Sequence, residues 1–356
     1  MTQLIFALDD PIIALDWSPD GRRVVVAGIS GPCAIVDTAT LQPAHRWDAH
    51  KGGTLALSWS PKGDVIATGG QDGTLRLWIP ESGALLREFS FDNAAWVEHA
   101  AFSPSGDYFA ASAGKRLRIW KASGELALSF DNHESTVSSL QWRADSKGVA
   151  TACYGKIRCF RLGETKPYEV LDWKASLIAL AWSPNGRHVA SSTQENTIQF
   201  FRLPSAGREP LQMSGYPVKV KNLTWDRAAR YLASGGGEMI TIWDVSGSGP
   251  AGTIPLQLSG HPQNITALEF QRHGDLLASG CQAGAVFVWN PSQCPWPKNE
   301  PVPTEQRISA RRLHSTINQL RWSPDERTLA LGCQDGNLVL WQVPLPRQTV
   351  VVENAR

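Results

Sequence analysis

The sequence predicts an all-β fold made of repeated units, because one pattern of three short strands and two tight turns recurs along the chain. The clearest example covers residues 51–78. Its first strand has apolar side chains at alternate positions, Leu55, Leu57 and Trp59, which is the period of a strand with one buried face. A Ser-Pro-Lys-Gly turn follows, and an Asp-Gly turn separates the second and third strands. Such turns favour hairpins, so the unit predicts a meander of three antiparallel strands.

The unit recurs eight times, and each first strand ends in an aromatic residue that we call the marker. We number the copies one to eight in chain order. Successive markers are 40 to 52 residues apart. A period of about 40 to 45 residues with four short strands per unit is typical of a β-propeller. We therefore predict a single closed propeller of eight four-stranded blades over residues 1–344. The markers are Trp17, Trp59, Phe102, Trp142, Trp182, Trp225, Phe270 and Trp322.

Copy two resembles the repeat of the WD family. The family pattern has a His before the first strand, a hydroxyl residue on the second, an Asp in the next turn and a Trp-Asp pair ending the third. Copy two has His50, Thr68, Asp72 and Trp78 at these positions, and copy six ends in the literal pair, Trp243-Asp244. The resemblance implies that the four side chains of copy two form a hydrogen-bonded tetrad. It covers nearly the whole chain and indicates no particular member of the family.

The two ends of the chain are expected to close the ring. Residues Gln3 to Asp10 are similar to the outer strands that precede other copies, yet no copy precedes them. We predict that they pair with the last copy, as in the family, which removes the exposed edges of an open array. Residues 291–312 form a proline-rich excursion, either a tolerated loop or an arm for a partner, with an outer strand expected at Ile308 to Leu313. Residues 345–356 remain as a C-terminal tail.

Composition argues against several classes of function. The chain has 34 basic and 33 acidic residues and a net charge of +1, which does not favour nucleic acid or an anionic membrane as the partner. No apolar run is long enough to span a membrane, and Asp9 and Asp10 interrupt the apolar N-terminus, which indicates a strand rather than an export signal. Six Cys fit a reducing cytosol better than a disulfide framework, so we expect a cytoplasmic protein.

No common catalytic motif of hydrolases, nucleotide-binding proteins or metalloproteases occurs, so we predict a protein that is not an enzyme and has no cofactor. Cys281 and Cys333 occupy equivalent places in copies seven and eight and are the weak candidates for a soft-metal site. The favoured alternative is that both are small buried residues. Histidines at the family's structural position before a first strand favour a core role over a ligand role, and these are His50, His133, His261 and His314.

Partner binding is expected at the mouth of the channel, where the loops converge. In each first strand the residue five before the marker is mostly apolar and is predicted to point into the blade. The residues six and four before the marker then point toward the channel mouth. Partner-binding positions of the family are similar to these, and they include the residue before the turn Asp. The resulting candidates are Trp96, Glu98, Lys219, Lys221 and Asn264, the nearby Tyr216, and the turn residues Gln71, Gln282 and Gln334.

Trp96 has no place in the repeat pattern, and Trp is the residue most enriched at interface hot spots. The alternative is that Trp96 packs on its own blade. We predict a non-catalytic scaffold or adaptor that binds a protein or peptide partner on this face, as a subunit of a larger complex. One alternative is a small-molecule or metal-binding propeller, including an enzyme, that uses the central channel. Another is a nucleic-acid-associated subunit, which would show a steeply salt-dependent affinity.

Overall fold

The computed structural model describes residues 5–91, 95–247, 249–298 and 300–344. Within these ranges the chain forms 31 strands, one 3-10 turn at Pro291–Gln293 and no α-helix. The prediction of an all-β chain is confirmed. No helix in these ranges has the length and apolar character that crossing a membrane requires. The predicted tail, 345–356, lies outside the described residues.

Copies one to three each form a four-stranded antiparallel sheet whose strands follow in chain order. Their burial changes across the sheet. In copy two the second strand is wholly buried, whereas the fourth strand is almost wholly exposed. After β1 (Ile5–Ala7), the strands are β2 (Ile12–Trp17), β3 (Arg23–Gly28), β4 (Pro32–Asp37) and β5 (Pro43–Asp48); β6 (Thr54–Trp59), β7 (Ile66–Gly70), β8 (Thr74–Trp78) and β9 (Leu85–Ser90); and β10 (Val97–Phe102), β11 (Tyr108–Ala113), β12 (Arg116–Lys121) and β13 (Leu126–Phe130).

Copies four and five share one six-stranded sheet. Two of its strands are 14 residues long, more than twice the length of any other described strand. The second of these pairs with copy four through its first part and with copy five through its last part. In order along the sheet, the strands are β14 (Ser139–Trp142), β15 (Gly148–Arg161), β16 (Glu169–Trp182), β17 (His188–Thr193), β18 (Ile198–Arg202) and β19 (Leu211–Met213).

Copies six to eight form a five-stranded sheet and two four-stranded sheets. The strands are β20 (Asn222–Trp225), β21 (Tyr231–Gly235), β22 (Ile240–Asp244) and β23 (Leu256–Leu258) in copy six; β24 (Ile265–Phe270), β25 (Leu277–Cys281) and β26 (Ala285–Trp289) in copy seven; β27 (Pro303–Thr304) and β28 (Ser309–Arg312) in the excursion; and β29 (Ile317–Trp322), β30 (Thr328–Cys333) and β31 (Asn337–Gln342) in copy eight.

The proline-rich excursion contributes to two sheets. Its last strand, β28, pairs with β26 and confirms the predicted outer strand of copy seven. Its short strand β27 pairs in parallel with β23 of copy six, which was not predicted. Pro303 can occupy this place because an edge strand does not need a second donor on its outer side. The excursion therefore links the outer edges of two neighbouring sheets.

The N-terminal strand closes the ring, as predicted. β1 pairs antiparallel with β31, with Ile5 opposite Val339 and Ala7 opposite Asn337. The first strands of successive copies contact one another in order, and β29 of copy eight contacts β2 of copy one. The apolar side chains form separate clusters between neighbouring copies, and the cluster that joins copies eight and one contains Phe6 and Leu338.

The predicted number of blades is not confirmed. The described strands form seven hydrogen-bonded sheets, five of them four-stranded, where eight separate sheets were expected. The difference arises in copies four and five. There β15 covers both the second and third strands of copy four, and β16 runs without a break from the outer strand of copy four into the first strand of copy five. These two continuous strands join what the repeat pattern treats as two units.

Candidate functional site at the mouth of the channel

A β-bulge recurs at the position four before the marker. In six copies the register between the first and second strands shifts there, so one residue of the first strand has no partner. A bulge bends its strand and re-aims the extra side chain. All six of these residues line cavities in the ring, as the sequence pattern predicted for this position. They are Ile13, Leu55, Glu98, Ile178, Thr266 and Asn318.

Polar residues at this position also bind the neighbouring copy. The Ser138 hydroxyl donates to the carbonyl oxygen of Leu177 at 2.6 Å. The Asn318 amide donates to the carbonyl oxygen of Ile12 at 3.1 Å, which ties copy eight to copy one. In both pairs the acceptor lies five before the next marker. The channel mouth is thus held by side chain to backbone hydrogen bonds between copies.

A second set of contacts joins the copies at the other end of the first strands. The Asp16 carboxylate accepts a hydrogen bond from the Trp59 backbone N–H at 2.8 Å, and the Glu269 carboxylate accepts one from the Trp322 N–H at 2.8 Å. Burial raises the pKa of both carboxyls, while the nearby Arg321 guanidinium opposes this shift. The Trp17 indole donates to the Arg321 carbonyl oxygen at 3.2 Å across the ring closure. Each marker therefore fixes its copy against the preceding one.

The structure brings five of the nine predicted partner-binding residues into one groove, which we call the lysine groove. It has a volume of about 580 Å³ and is lined by copies six, seven and eight and by Ile13 of copy one. Ile13 and Val218 supply apolar surface, and both lysines of the groove are exposed. The five predicted residues are Lys219, Lys221, Asn264, Gln282 and Gln334.

Glu98 lines a separate cavity of about 210 Å³ on copies one to three. Burial raises the pKa of its carboxyl. This cavity shares Ile13 and Gln319 with the lysine groove, so the two belong to one channel mouth. Trp96 precedes Glu98 by two residues, is 51% exposed and lines none of the cavities, so its role in binding a partner stays a prediction. Gln71 is partly buried and lines neither cavity.

Tyr216 is the predicted partner-binding residue that the structure places elsewhere. Its hydroxyl lies 2.8 Å from the Ser234 hydroxyl and accepts a hydrogen bond from the Trp243 indole at 2.9 Å. Burial raises the pKa of Tyr216 to about 12. The hydroxyl is therefore used within copy six and is not free for a partner. Tyr216 replaces the structural histidine of the family.

A constant spacing could have revealed this role. Tyr216 precedes Ser234 by 18 residues. The same separation joins each structural histidine to the hydroxyl residue that it contacts: His50 to Thr68, His133 to Thr151 and His261 to Ser279. His314 precedes Leu331 by only 17 residues and is exposed, whereas Leu313, at the 18-residue position, is buried. The core role predicted for His314 is therefore wrong.

The four tetrad residues of copy two are hydrogen-bonded in the way the resemblance implies. His50 Nδ1 lies 2.9 Å from the Asp72 carboxylate, and His50 Nε2 lies 2.8 Å from the Thr68 hydroxyl. The Trp78 indole donates to the same hydroxyl at 2.8 Å. Copy seven keeps only the histidine, hydroxyl and indole contacts, because Ala283 stands in its turn.

The two cysteines that were weak metal candidates lie in different apolar clusters. Cys281 belongs to the cluster of copies six and seven, and Cys333 to that of copies seven and eight. Burial raises the pKa of the Cys333 thiol to about 12, and a thiol binds metal as its thiolate. Among the residues that the structure describes, no group of three or more His, Cys, Asp or Glu side chains is placed to hold a metal ion.

Comparison with known proteins agrees with this architecture. Protein HIR1 of Eremothecium gossypii is 24% identical over 232 residues, covering 52% of this chain and 28% of HIR1. The intraflagellar transport protein 80 homolog of Rattus norvegicus is 26% identical over 147 residues, covering 40% of this chain and 18% of that protein. The chain therefore spans less than a third of the length of either relative. The crystal structure of the computationally designed Ika8 protein superposes with a TM-score of 0.77 at 22% identity, over 94% of this chain and 97% of that one, which shows the fold alone.

The WD domain, G-beta repeat family matches six segments, residues 41–78, 83–121, 124–161, 167–202, 252–290 and 307–342. The markers Trp17 and Trp225, of copies one and six, lie outside these segments. The matched segments make up more than half of the chain. Together with the tetrad of copy two and the closed ring of sheets, they show that this protein belongs to the WD-repeat family.

Proposed function

We propose that this protein is a non-catalytic scaffold or adaptor that binds a protein or peptide partner at the mouth of its channel, as a subunit of a larger complex. The observation that carries the proposal is the exposure of three side chains that the sequence pattern assigns to the channel mouth: Trp96 on copy three, and Lys219 and Lys221 in the lysine groove. A large exposed aromatic residue is typical of a binding hot spot. Bulged first strands, held by hydrogen bonds between copies, form a rigid support for these side chains.

We also infer that the ring has eight blades, with the six-stranded sheet made of two. Eight separate apolar clusters support this, since each lies between two adjacent copies around the ring. Strand β15 folds back on itself at Gly155, which has a left-handed φ of 79°, and the Leu162 N–H donates to the Lys147 carbonyl oxygen at 3.1 Å. Such a hairpin supplies the second and third strands of a separate fourth blade.

The cellular setting is part of the proposal. All six cysteines are free and buried, which supports a reducing compartment such as the cytoplasm. The near-neutral net charge supports a protein partner rather than nucleic acid or a membrane surface. The single charged patch of the lysine groove is small compared with the basic surfaces that bind nucleic acid.

Affinity purification from the native cell, followed by mass spectrometry, tests the proposal. The wild type is compared with the Trp96→Ala, Lys221→Glu variant. A control carries Leu126→Ala and Lys174→Glu, which likewise shorten an exposed apolar side chain and reverse an exposed charge, at residues that line none of the cavities. We expect a stoichiometric protein that is lost in the rim variant and kept in the control. A protein kept by both variants would contradict the proposed face. A co-purifying metal or small molecule without any protein would support the channel alternative.

A further inference from the structure

The lysine groove differs in charge from the rest of the channel. Among the residues that the structure describes, Lys219 and Lys221 are its only charged lining residues, and no carboxylate lines it. Of the carboxylates described above, Glu98 lines the separate cavity, and Asp16 and Glu269 are bonded to the next copy at the other end of their strands. The described lining of the groove therefore carries a net positive charge, which favours an anionic ligand.

The two groove lysines are also unpaired, whereas three other lysines of the chain have a carboxylate partner. Lys62 lies 2.6 Å from Asp107, Lys121 lies 2.9 Å from Glu125, and Lys156 lies 3.3 Å from Glu134. Neither groove lysine has an ion-pair partner among the described residues. An exposed lysine alone is ordinary. Here two lysines lie at alternate positions on either side of Val220, which is fully buried. The fold therefore places both lysines in one groove.

Carboxamides complete the lining of the groove. Asn264, Gln282 and Gln334 are exposed within it, and Gln334 accepts a hydrogen bond from the Asn318 amide at 2.9 Å. A carboxamide offers both donors and an acceptor, which is the combination that pairs with a peptide backbone. Ile13 and Val218 offer apolar surface beside them. The groove thus provides contacts for main chain, for apolar side chains and for negative charge.

On these grounds we propose that the lysine groove recognises an acidic, extended peptide segment of the partner, with carboxylates of Asp or Glu at alternate positions. The inference rests on the proposed function and adds the chemistry of the partner. Residues two apart in an extended chain are separated by about 7 Å. Lys219 and Lys221 are also two residues apart, so alternate carboxylates match their spacing.

Selection of peptides from a phage-displayed library of random 12-residue sequences tests the inference. The wild type, a Lys219→Glu, Lys221→Glu variant and a control with Lys166→Glu and Lys174→Glu are used as targets. Both variants change the net charge equally, and the control lysines are exposed and lie outside the channel. We expect Asp and Glu, spaced two apart, to be enriched on the wild type and on the control, and this enrichment to be lost on the groove variant.

A peptide selected on the wild type should then lose affinity about tenfold or more on the groove variant, and less than about twofold on the control, because close charge pairs carry this much coupling energy. Enriched peptides without acidic residues, or acidic peptides that bind all three proteins equally, would overturn the inference and leave the proposed platform function intact. Failure to select any peptide on the wild type would count against both.

Discussion

In copy two, two polar side chains hydrogen-bond to one hydroxyl. The Thr68 hydroxyl accepts from the Trp78 indole and donates to His50 Nε2, because Asp72 holds the proton of His50 on Nδ1. In copy six a tyrosine hydroxyl takes the histidine's place, and in copy seven the carboxylate is missing. The copies therefore build the family's polar network from different residues, and copies six and seven each lack one of its usual members.

Thr68→Val tests the network of copy two. The change keeps the shape of the side chain but leaves two buried nitrogen groups without a partner, so we expect the free energy of unfolding to fall by about 2 to 4 kcal/mol in denaturant titrations. Ser192→Ala is the matched control, since the buried Ser192 hydroxyl has no hydrogen-bond partner among the described residues. It should leave stability unchanged or slightly raised. Equal losses in the two variants would show that the network does not stabilise the blade.

The buried His261 makes the stability of the protein depend on pH. Its Nδ1 is buried without a partner among the described residues, and burial, with a smaller effect of Arg307, lowers its pKa from 6.5 to about 4. The unfolded chain therefore binds this proton more readily, so stability is full above pH 6.5 and falls as the pH drops toward 4. At a pH below both pKa values, His261 lowers the free energy of unfolding by about 3 kcal/mol.

Urea titrations between pH 7 and pH 4 measure this loss. In the His261→Gln variant the decline over this range should become shallower, whatever the variant's stability at neutral pH. The control His273→Gln replaces an exposed histidine and should keep the wild-type slope. An unchanged slope in His261→Gln would mean that the buried imidazole does not control the acid sensitivity.

Strands and turns were predictable where a local pattern specifies them. The markers and turn residues identified the first strands of all eight copies, and the outer strand after the excursion was found at the expected place. The parallel strand β27 was not predictable, because Pro303–Thr304 has no alternation and its partner is far away in sequence. The long strand β16 was missed for a related reason: nothing in the residues between two units marks whether the chain turns or continues.

The mouth of the channel was predicted by position rather than by chemistry. The residue four positions before the marker faces the channel because a β-bulge recurs at that position. The alternation of side chains in the sequence reveals this backbone feature only indirectly. Tyr216 was assigned to the rim by proximity in sequence, although its spacing to Ser234 indicates a core role. Burial of the Tyr216 hydroxyl depends on contacts across the blade. In the sequence, only the repeated spacing of 18 residues could have indicated this core role.

Two contacts hold the proline-rich excursion against copy six. Trp296 stacks on Tyr231 with ring centroids 5.1 Å apart, and the Ser259 N–H donates to the Thr304 carbonyl oxygen at 2.9 Å. Trp296→Ala should release β27 from β23 and speed hydrogen exchange of the Ser259 amide, measured by mass spectrometry. Val302→Ala, at an exposed residue of the same excursion, should not change this exchange. Equal protection in both variants would mean that the stacked ring does not hold the strand.

Closure of the ring depends on three residues at the start of the described chain. In β1, Phe6 is 4% exposed and lies in the cluster between copies eight and one, whereas the adjacent Ile5 is 43% exposed. Phe6→Ala should therefore cost about 3 kcal/mol of unfolding free energy, because it leaves a cavity in that cluster. Ile5→Ala should cost less than about 0.5 kcal/mol. Thermal or chemical unfolding would contradict the closure if both variants lost the same amount.

In the whole molecule, a closed ring of copies supports the proposed binding face. Copies are locked together at both ends of the first strands, so the side chains at the mouth are presented by a rigid support. The outer strands offer a different surface, with exposed apolar residues such as Leu85 and Leu126. Which of the two surfaces meets the partner is the central question for function.

Site-specific photo-crosslinking in the native cell answers it most directly. A photoreactive phenylalanine analogue is placed at Asn264 in the lysine groove, or at Leu126 on the outer strand β13, both exposed. We predict a crosslinked protein from Asn264 that is absent from Leu126 and is lost when Lys219→Glu and Lys221→Glu are added. A partner crosslinked from Leu126 and not from Asn264 would contradict the account.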